Sequence, residues 1–214
     1  QNPINQQQID TFNTVLEQLR EQVSPLIAAS LCNSAGIINF PQCHYDWVRP
    51  GIMLYGSSPM MSVPAAALNL QPVMTLSAAL MAVHDLPSGA HVGYGSLYTA
   101  SMPIKKGIVS IGYGDGYPRA VSNSAWVSVY QDNLYYRCPI LGRVAMDMIA
   151  IDVSAIPNPR LGSPVILWGD AAIPSPAVTP HADIPSVDEV AEWANTIGYE
   201  LLCRLTTRPS RQLR

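Results

Sequence analysis

The feature that most constrains this chain is the stretch 91–119, HVGYGSLYTASMPIKKGIVSIGYGDGYPR, with two Gly-Tyr-Gly triplets centred on Tyr94 and Tyr113. A glycine on each side of a tyrosine lets the backbone turn sharply and lets other groups approach closely. The phenol is then displayed on a bend and not packed on a sheet face. Its reference pKa is about 10, so as a proton-transfer group it needs a cationic or hydrogen-bonding neighbour. Taken singly, such a triplet more often simply ends a strand at a tight turn. The repetition, with Asp115-Gly116 directly after the second triplet, points to a site.

The texture of the chain changes near Gln71, which divides it into 1–72 and 73–214. In the second part a strand is expected over 73–84, with shorter ones at 107–113, 126–130, 134–140, 147–153 and 164–168. Gly, Pro, Asn and Asp punctuate them, the pattern of an antiparallel β-domain. Asp132-Asn133 reads as a hairpin turn, and the Pro-rich stretch 169–186 as a surface loop. Ser186 and Glu189 form a capping box for a short helix near 187–197, with Val187, Val190, Ala191 and Ala194 on one face. Gly198 is expected to end that helix and Tyr199 to open a final apolar segment, YELLCRL.

In the first part, Phe12, Val15, Leu16 and Leu19 recur at helical spacing and predict an amphipathic helix over 9–23. The apolar run 26–31 is of strand length, and Asn33, Ser34 and Gly36 follow it as a polar turn. Strand, polar turn and a further short segment are the grammar of an αβ barrel or a doubly wound sheet. Residues 47–55 look strand-like, interrupted by Arg49-Pro50-Gly51. A buried arginine there would need a partner. Pro50-Gly51 breaks the ladder and frees the amides of Gly51 and Ile52 to face a ligand. The plainer alternative is a strand end with a solvated arginine.

Composition narrows the function classes. Of the 214 residues 48% are apolar and 13% charged, which suits a globular core and a surface partly covered by a partner. A net charge of −3 without a basic cluster argues against nucleic acid as the main ligand. No apolar run approaches the roughly 20 residues that span a bilayer. Cys32, Cys43, Cys138 and Cys203 are scattered without metal-ligand spacing, and are read as reduced thiols of a cytoplasmic protein.

Six segments taken together carry a resemblance: NSAG (33–36), VRPGIMLYG (48–56), VGYGSLYTA (92–100), IGYGDGYPR (111–119), GRVAMDM (142–148) and TIGYELLCRL (196–205). In this order they make the chain resemble the carboxy-terminal part of the alanine racemases, pyridoxal 5'-phosphate enzymes that interconvert L- and D-alanine, an isomerisation that supplies D-alanine for peptidoglycan or begins its catabolism. The resemblance implies an α/β protein: the last part of a TIM-type αβ barrel, then a mostly antiparallel β-domain. It implies that Ser34, the Gly51 and Ile52 amides and Tyr199 hold the cofactor phosphate, and that Arg49 donates to the pyridine nitrogen. A guanidinium keeps its proton, so the ring nitrogen stays unprotonated, which discourages side reactions. Tyr94 matches the catalytic tyrosine, the acid/base on one face of the substrate Cα. Tyr113 and the Met146 amide would shape the substrate pocket and bind the carboxylate, while Asp115 and Asp147 serve loop geometry.

The resemblance further implies a homodimer with active sites shared across the interface, with Tyr94, Tyr113 and Met146 serving the neighbouring subunit. The lysine that forms the Schiff base belongs to an amino-terminal segment expected to be missing here; Lys105 and Lys106, the only lysines present, match neither its motif nor its position. A partial barrel should expose strand edges and apolar helix faces. The close LTTRPSRQLR departs from the family's usual end and is expected to affect surface or dimer contacts. Alternatives are an inactive or regulatory fragment that binds the cofactor or phosphate, or a racemase for serine or another amino acid. A cofactor-independent β-module would leave VRPGI and NSAG unexplained.

Overall fold

The first helix, α1 (Pro3–Gln22), starts six residues before the helix expected over 9–23. Asn2 caps it by accepting from the Ile4 amide, and Pro3 suits the first turn, where no amide donor is needed. The computed structural model describes residues 2–170 and 184–213. Of the expected apolar stripe Leu16 is buried together with Ile9, whereas Val15 and Leu19 are exposed.

Strand β1 (Ser30–Asn33) takes only the last two residues of the 26–31 run and continues to Asn33. The side chain of Asn33 accepts from the Gly36 amide, so the expected polar turn is the capped start of a short helix, α2 (Ser34–Asn39). Strand β2 (Trp47–Arg49) pairs in parallel with β1. The strand expected over 47–55 stops at Arg49, because Pro50 has no donor for the ladder, and Ile52–Tyr55 coils into a 3-10 turn. Ile9, Cys32 and Cys43 form the small core of this part.

After 72 the chain builds a six-stranded antiparallel sheet in the order β8-β7-β10-β3-β6-β9. Its strands are β3 (Leu76–Leu86), β6 (Ile104–Val109), β7 (Trp126–Gln131), β8 (Leu134–Pro139), β9 (Ile149–Asp152) and β10 (Pro164–Trp168). A small hairpin of β4 (His91–Val92) and β5 (Tyr98–Thr99) branches off between β3 and β6. β3 is long enough to pair with β10 through its first half and with β6 through its second, with a bulge between Leu80 and Ala82. Beyond β8, Ile140 bridges to Ile151 of β9, and the Leu141 amide donates to the Ala150 carbonyl. The two ends of the sheet are thereby joined, and the sheet curls on itself without a long free edge. Asp132 and Asn133 link β7 to β8 with φ of 50° and 62°, the left-handed pair that a two-residue hairpin requires.

The capping box of Ser186 and Glu189 opens α3 (Val187–Trp193). Val187, Val190 and Ala191 pack it on the sheet's main core, where Leu80, Val129, Ile151 and Trp168 are sealed from solvent. Gly198 does not end this helix; it opens α4 (Gly198–Arg204). The left-handed residue after α3 is Asn195, with φ 53°. Gly198 is required for a different reason: a Cβ there would collide with the Ser57 hydroxyl. The segment from Tyr199 is accordingly helical. Residues 171–183 of the Pro-rich stretch lie outside the described residues.

Candidate active site

Two groups of residues emerge, set on different elements. In the first, the Ser34 hydroxyl oxygen accepts from the Gly51 amide at 2.8 Å, which draws the turn after β2 against the start of α2. That bond uses an oxygen lone pair, so the hydroxyl proton remains available for a ligand. Ile52 has its side chain buried, which anchors the turn. Arg49 is exposed at the end of β2, and its guanidinium is held by the Ser30 carbonyl at 2.9 Å, the Ser30 hydroxyl at 2.6 Å and the Leu31 carbonyl at 3.2 Å. It therefore needs no carboxylate partner, and its direction is fixed by neutral groups of the adjoining parallel strand.

Tyr199, on the first turn of α4, is placed next to the segment that follows this turn, because its neighbour Gly198 packs on Ser57. The Asp188 carboxylate accepts from the Ser57 hydroxyl and from the Ser58 amide, and Gly198 packs directly on Ser57. Tyr199 with Tyr55 and Gly56 lines a cleft of about 830 Å³ that lies between the 55–72 segment and the α3–α4 pair. Asp188 was not singled out from the sequence. As the second residue of a capped helix it looks like a dipole partner, and its contact with Ser57 bridges far-separated segments.

The second group is built from three loops. Tyr94 stands in a single 3-10 turn between Gly93 (φ 75°) and Gly95 (φ 76°), and is 77% exposed. Tyr113 opens a second such turn, 113–115, between β6 and β7. The loop 142–148 ties the two together. The Tyr113 amide donates to the Ala145 carbonyl at 3.0 Å and the Gly114 amide to the Met146 carbonyl at 2.8 Å. A Cβ on Gly112 would overlap the Ala145 carbonyl oxygen, and one on Gly142 would stand 3.0 Å from the Val92 carbonyl. The glycines that flank the tyrosines thus serve both bending and close approach. Asp115, nearly buried, accepts from the Gly112 amide at 2.8 Å and closes its turn.

Arg208 and Thr206 of the closing tail also belong to this group. Thr206 binds the carbonyls of Asp115 and Gly114, and Arg208 pairs with Asp147 and Asp115. The sequence alone suggests surface or dimer contacts for the tail, since nothing local to Arg208 announces carboxylates so far away in the chain. Among the described residues no hydrogen bond or ion pair joins Ser34, Arg49, Gly51, Ile52 or Tyr199 to Tyr94, Tyr113 or Met146. No group of three His, Cys, Asp or Glu side chains among them is placed to hold a metal ion, and no helix is long and apolar enough to cross a membrane.

A parallel βα piece with a polar rim, followed by a curled antiparallel sheet with loops converging on two tyrosines, defines an α/β protein in two parts. Residues 73–213 match the family model "Alanine racemase, C-terminal domain", and residues 1–59 match "Alanine racemase, N-terminal domain". The chain belongs to the alanine racemase family. It is 61% identical over 213 residues to an alanine racemase of Psychrobacter sp. (strain PRwf-1), covering 99% of this chain and 54% of that one. The alanine racemase of Acinetobacter baumannii superimposes with a TM-score of 0.81 at 45% identity, over 99% of this chain and 53% of that one. The alanine racemase of Bartonella henselae with covalently bound pyridoxal phosphate gives 0.74 at 30% identity, over 97% and 51%. The chain spans about half the length of these relatives. Its fold is α/β, the last part of a TIM-type αβ barrel followed by a mostly antiparallel β-domain.

Proposed function

We propose that this chain is the carboxy-terminal part of a cytoplasmic, homodimeric racemase that interconverts L- and D-alanine with pyridoxal 5'-phosphate, the D-alanine serving peptidoglycan. An amino-terminal segment carrying the Schiff-base lysine completes the site, and the chain divides into barrel residues 1–72 and a β-domain, 73–214. The observation that carries this is Tyr94 itself, a phenol presented on a glycine-flanked bend and left 77% exposed by its own chain. A phenol so placed is accessible to a group outside its own chain, which supports a site shared with a neighbouring subunit.

The residues of the first group suit the cofactor. The Ser34 hydroxyl, two loop amides and the Tyr199 phenol are neutral donors fit for a phosphate dianion. Gly51 has no atom nearer than the Ser34 hydroxyl, 4.0 Å from where its Cβ would be, so the backbone is open to a ligand. Arg49, held by three neutral acceptors, presents a donor that never gives up its proton to the ring nitrogen. When bound, the cofactor supplies the electron sink that acidifies the substrate Cα proton. Tyr94 takes or returns that proton on one face; the lysine of the amino-terminal segment serves the other. The Met146 amide, on a loop bonded to the Tyr113 turn, orients the substrate carboxylate, and Tyr113 walls the pocket.

The test is Tyr94→Phe in the complete polypeptide. Racemisation should fall at least about 100-fold, the scale of a lost general acid or base, while cofactor absorbance and stoichiometry stay unchanged. Near-normal turnover in that variant would remove Tyr94 from the proton transfer.

A further inference from the structure

The tail after α4 runs across the second group of loops. A Cβ on Gly116 would lie 2.6 Å from the Arg204 carbonyl oxygen and 2.7 Å from the Leu205 Cα, and one on Gly114 would collide with the Arg208 guanidinium. The Thr206 amide donates to the Asp115 carbonyl at 3.1 Å, and its hydroxyl to the Gly114 carbonyl at 3.1 Å. Arg208 Nη2 then donates to Asp147 Oδ1 at 2.6 Å, while its Nε lies 3.2 Å from Asp115 Oδ1. Asp115 spends its other oxygen on the Gly112 amide. One planar cation is thus braced by two carboxylates, one from the loop of Tyr113 and one from the loop of Met146.

Arg208 is about half exposed, and exposed ion pairs contribute little to stability. What a two-pronged guanidinium supplies is direction: its donors leave a rigid plane at fixed angles, which a lysine cannot reproduce. The backbone bonds between the two loops set their spacing, and Arg208 locks their outer ends.

We propose that Arg208 is a positioning residue, its guanidinium pinning the Tyr113 loop to the Met146 loop and tying both, through the tail, to the helix that carries Tyr199. This rests on the racemase reading above, in which Tyr199 serves one subunit's site and Tyr113 and Met146 the other's. Arg208 is then the joint between the two.

The experiment compares Arg208→Ala and Arg208→Lys with the parent in the complete holoenzyme. The alanine variant should raise KM for alanine about tenfold and change kcat less than about threefold, because substrate orientation is lost and the proton-transfer tyrosine is retained. Cofactor absorbance should not move. Arg208→Lys, which keeps the charge without the fork, should recover only part of the KM, and millimolar guanidinium should restore the alanine variant. A purely structural role would lower the active fraction at constant KM, and an unchanged KM in Arg208→Ala overturns the proposal. If that variant does not fold, a parental KM in Arg208→Lys overturns it equally. Amide exchange gives a readout independent of turnover: residues 112–116 and 144–148 should exchange about tenfold faster in Arg208→Ala, with β7 and β8 unaffected. Unchanged exchange there also overturns it. A parent that does not racemise alanine defeats the functional reading and the positioning role with it, and exchange then decides whether the clamp holds the loops at all.

Discussion

Val127, Ile149, Val165 and Trp168 are sealed from solvent in the six-stranded sheet, whereas ahead of it Val15, Leu19, Leu26 and Trp47 stand open, Trp47 to 69%. The two regions differ because antiparallel strands complete one another. Hairpins and short returns let the sheet pair every central strand, and the Ile140–Ile151 bridge joins its ends. A parallel pair such as β1 and β2 needs crossover helices and cover on both faces, which two strands and one long helix do not provide. Order in the sheet comes from within the chain. Order ahead of it depends on what covers it.

The largest expected effect probes that contrast directly. Trp168→Ala should cost about 3–5 kcal/mol, the range for emptying a buried aromatic site, while Trp47→Ala in the same chain should stay within about 0.5 kcal/mol. Urea unfolding of the two variants measures both. A comparable loss at Trp47 would mean that the first region is already packed.

Alkaline titration follows. Burial, reinforced by Asp152, pushes the Cys138 thiol up to about 12, and burial also raises the Tyr117 phenol. Both groups are neutral in the folded chain and ionise first in the unfolded one, so the stabilisation is complete below the ordinary thiol value and fades as pH climbs towards 12. The expected slope is about 1.4 kcal/mol per pH unit for each group. Urea midpoints between pH 8 and 11 should fall steeply, and Cys138→Ala should flatten the curve. Parallel curves would mean that the sheet's core is more open than its geometry.

The smallest effect sharpens the comparison. Ser186→Ala removes the cap of α3, packed on the main core, and should cost about 1 kcal/mol. Asn2→Ala removes a chemically similar cap from α1 and should cost a few tenths, since the first turn of that helix is exposed and packs on no core. Equal costs, read from thermal unfolding, would show that the two regions unfold as one unit.

Much of the sheet was legible in the sequence, because turn residues bracket its strands: 126–130, 134–140 and 164–168 fall almost on β7, β8 and β10. The expected strand 107–113 overran β6 because apolar continuity hides the point where Ser110–Tyr113 leaves the sheet to make a site loop. Gly198 misled for the opposite reason. Composition suggests a left-handed stop, whereas the structure needs it for contact with Ser57. The turns that display Tyr94 and Tyr113 were legible from their paired glycines. The Arg208–Asp115–Asp147 cluster was not, since ion pairs between distant segments leave no local pattern.

The place of β3 in the sheet has a consequence for synthesis. It is the first of the six strands to leave the ribosome, yet its neighbours are β6 and the last of them, β10. At roughly 5–20 residues per second, β3 waits on the order of ten seconds for β10 to emerge. Throughout that interval β6 can already pair with the second half of β3, but its first half has no strand beside it, so the nascent chain offers a holding chaperone an apolar target before the sheet can close.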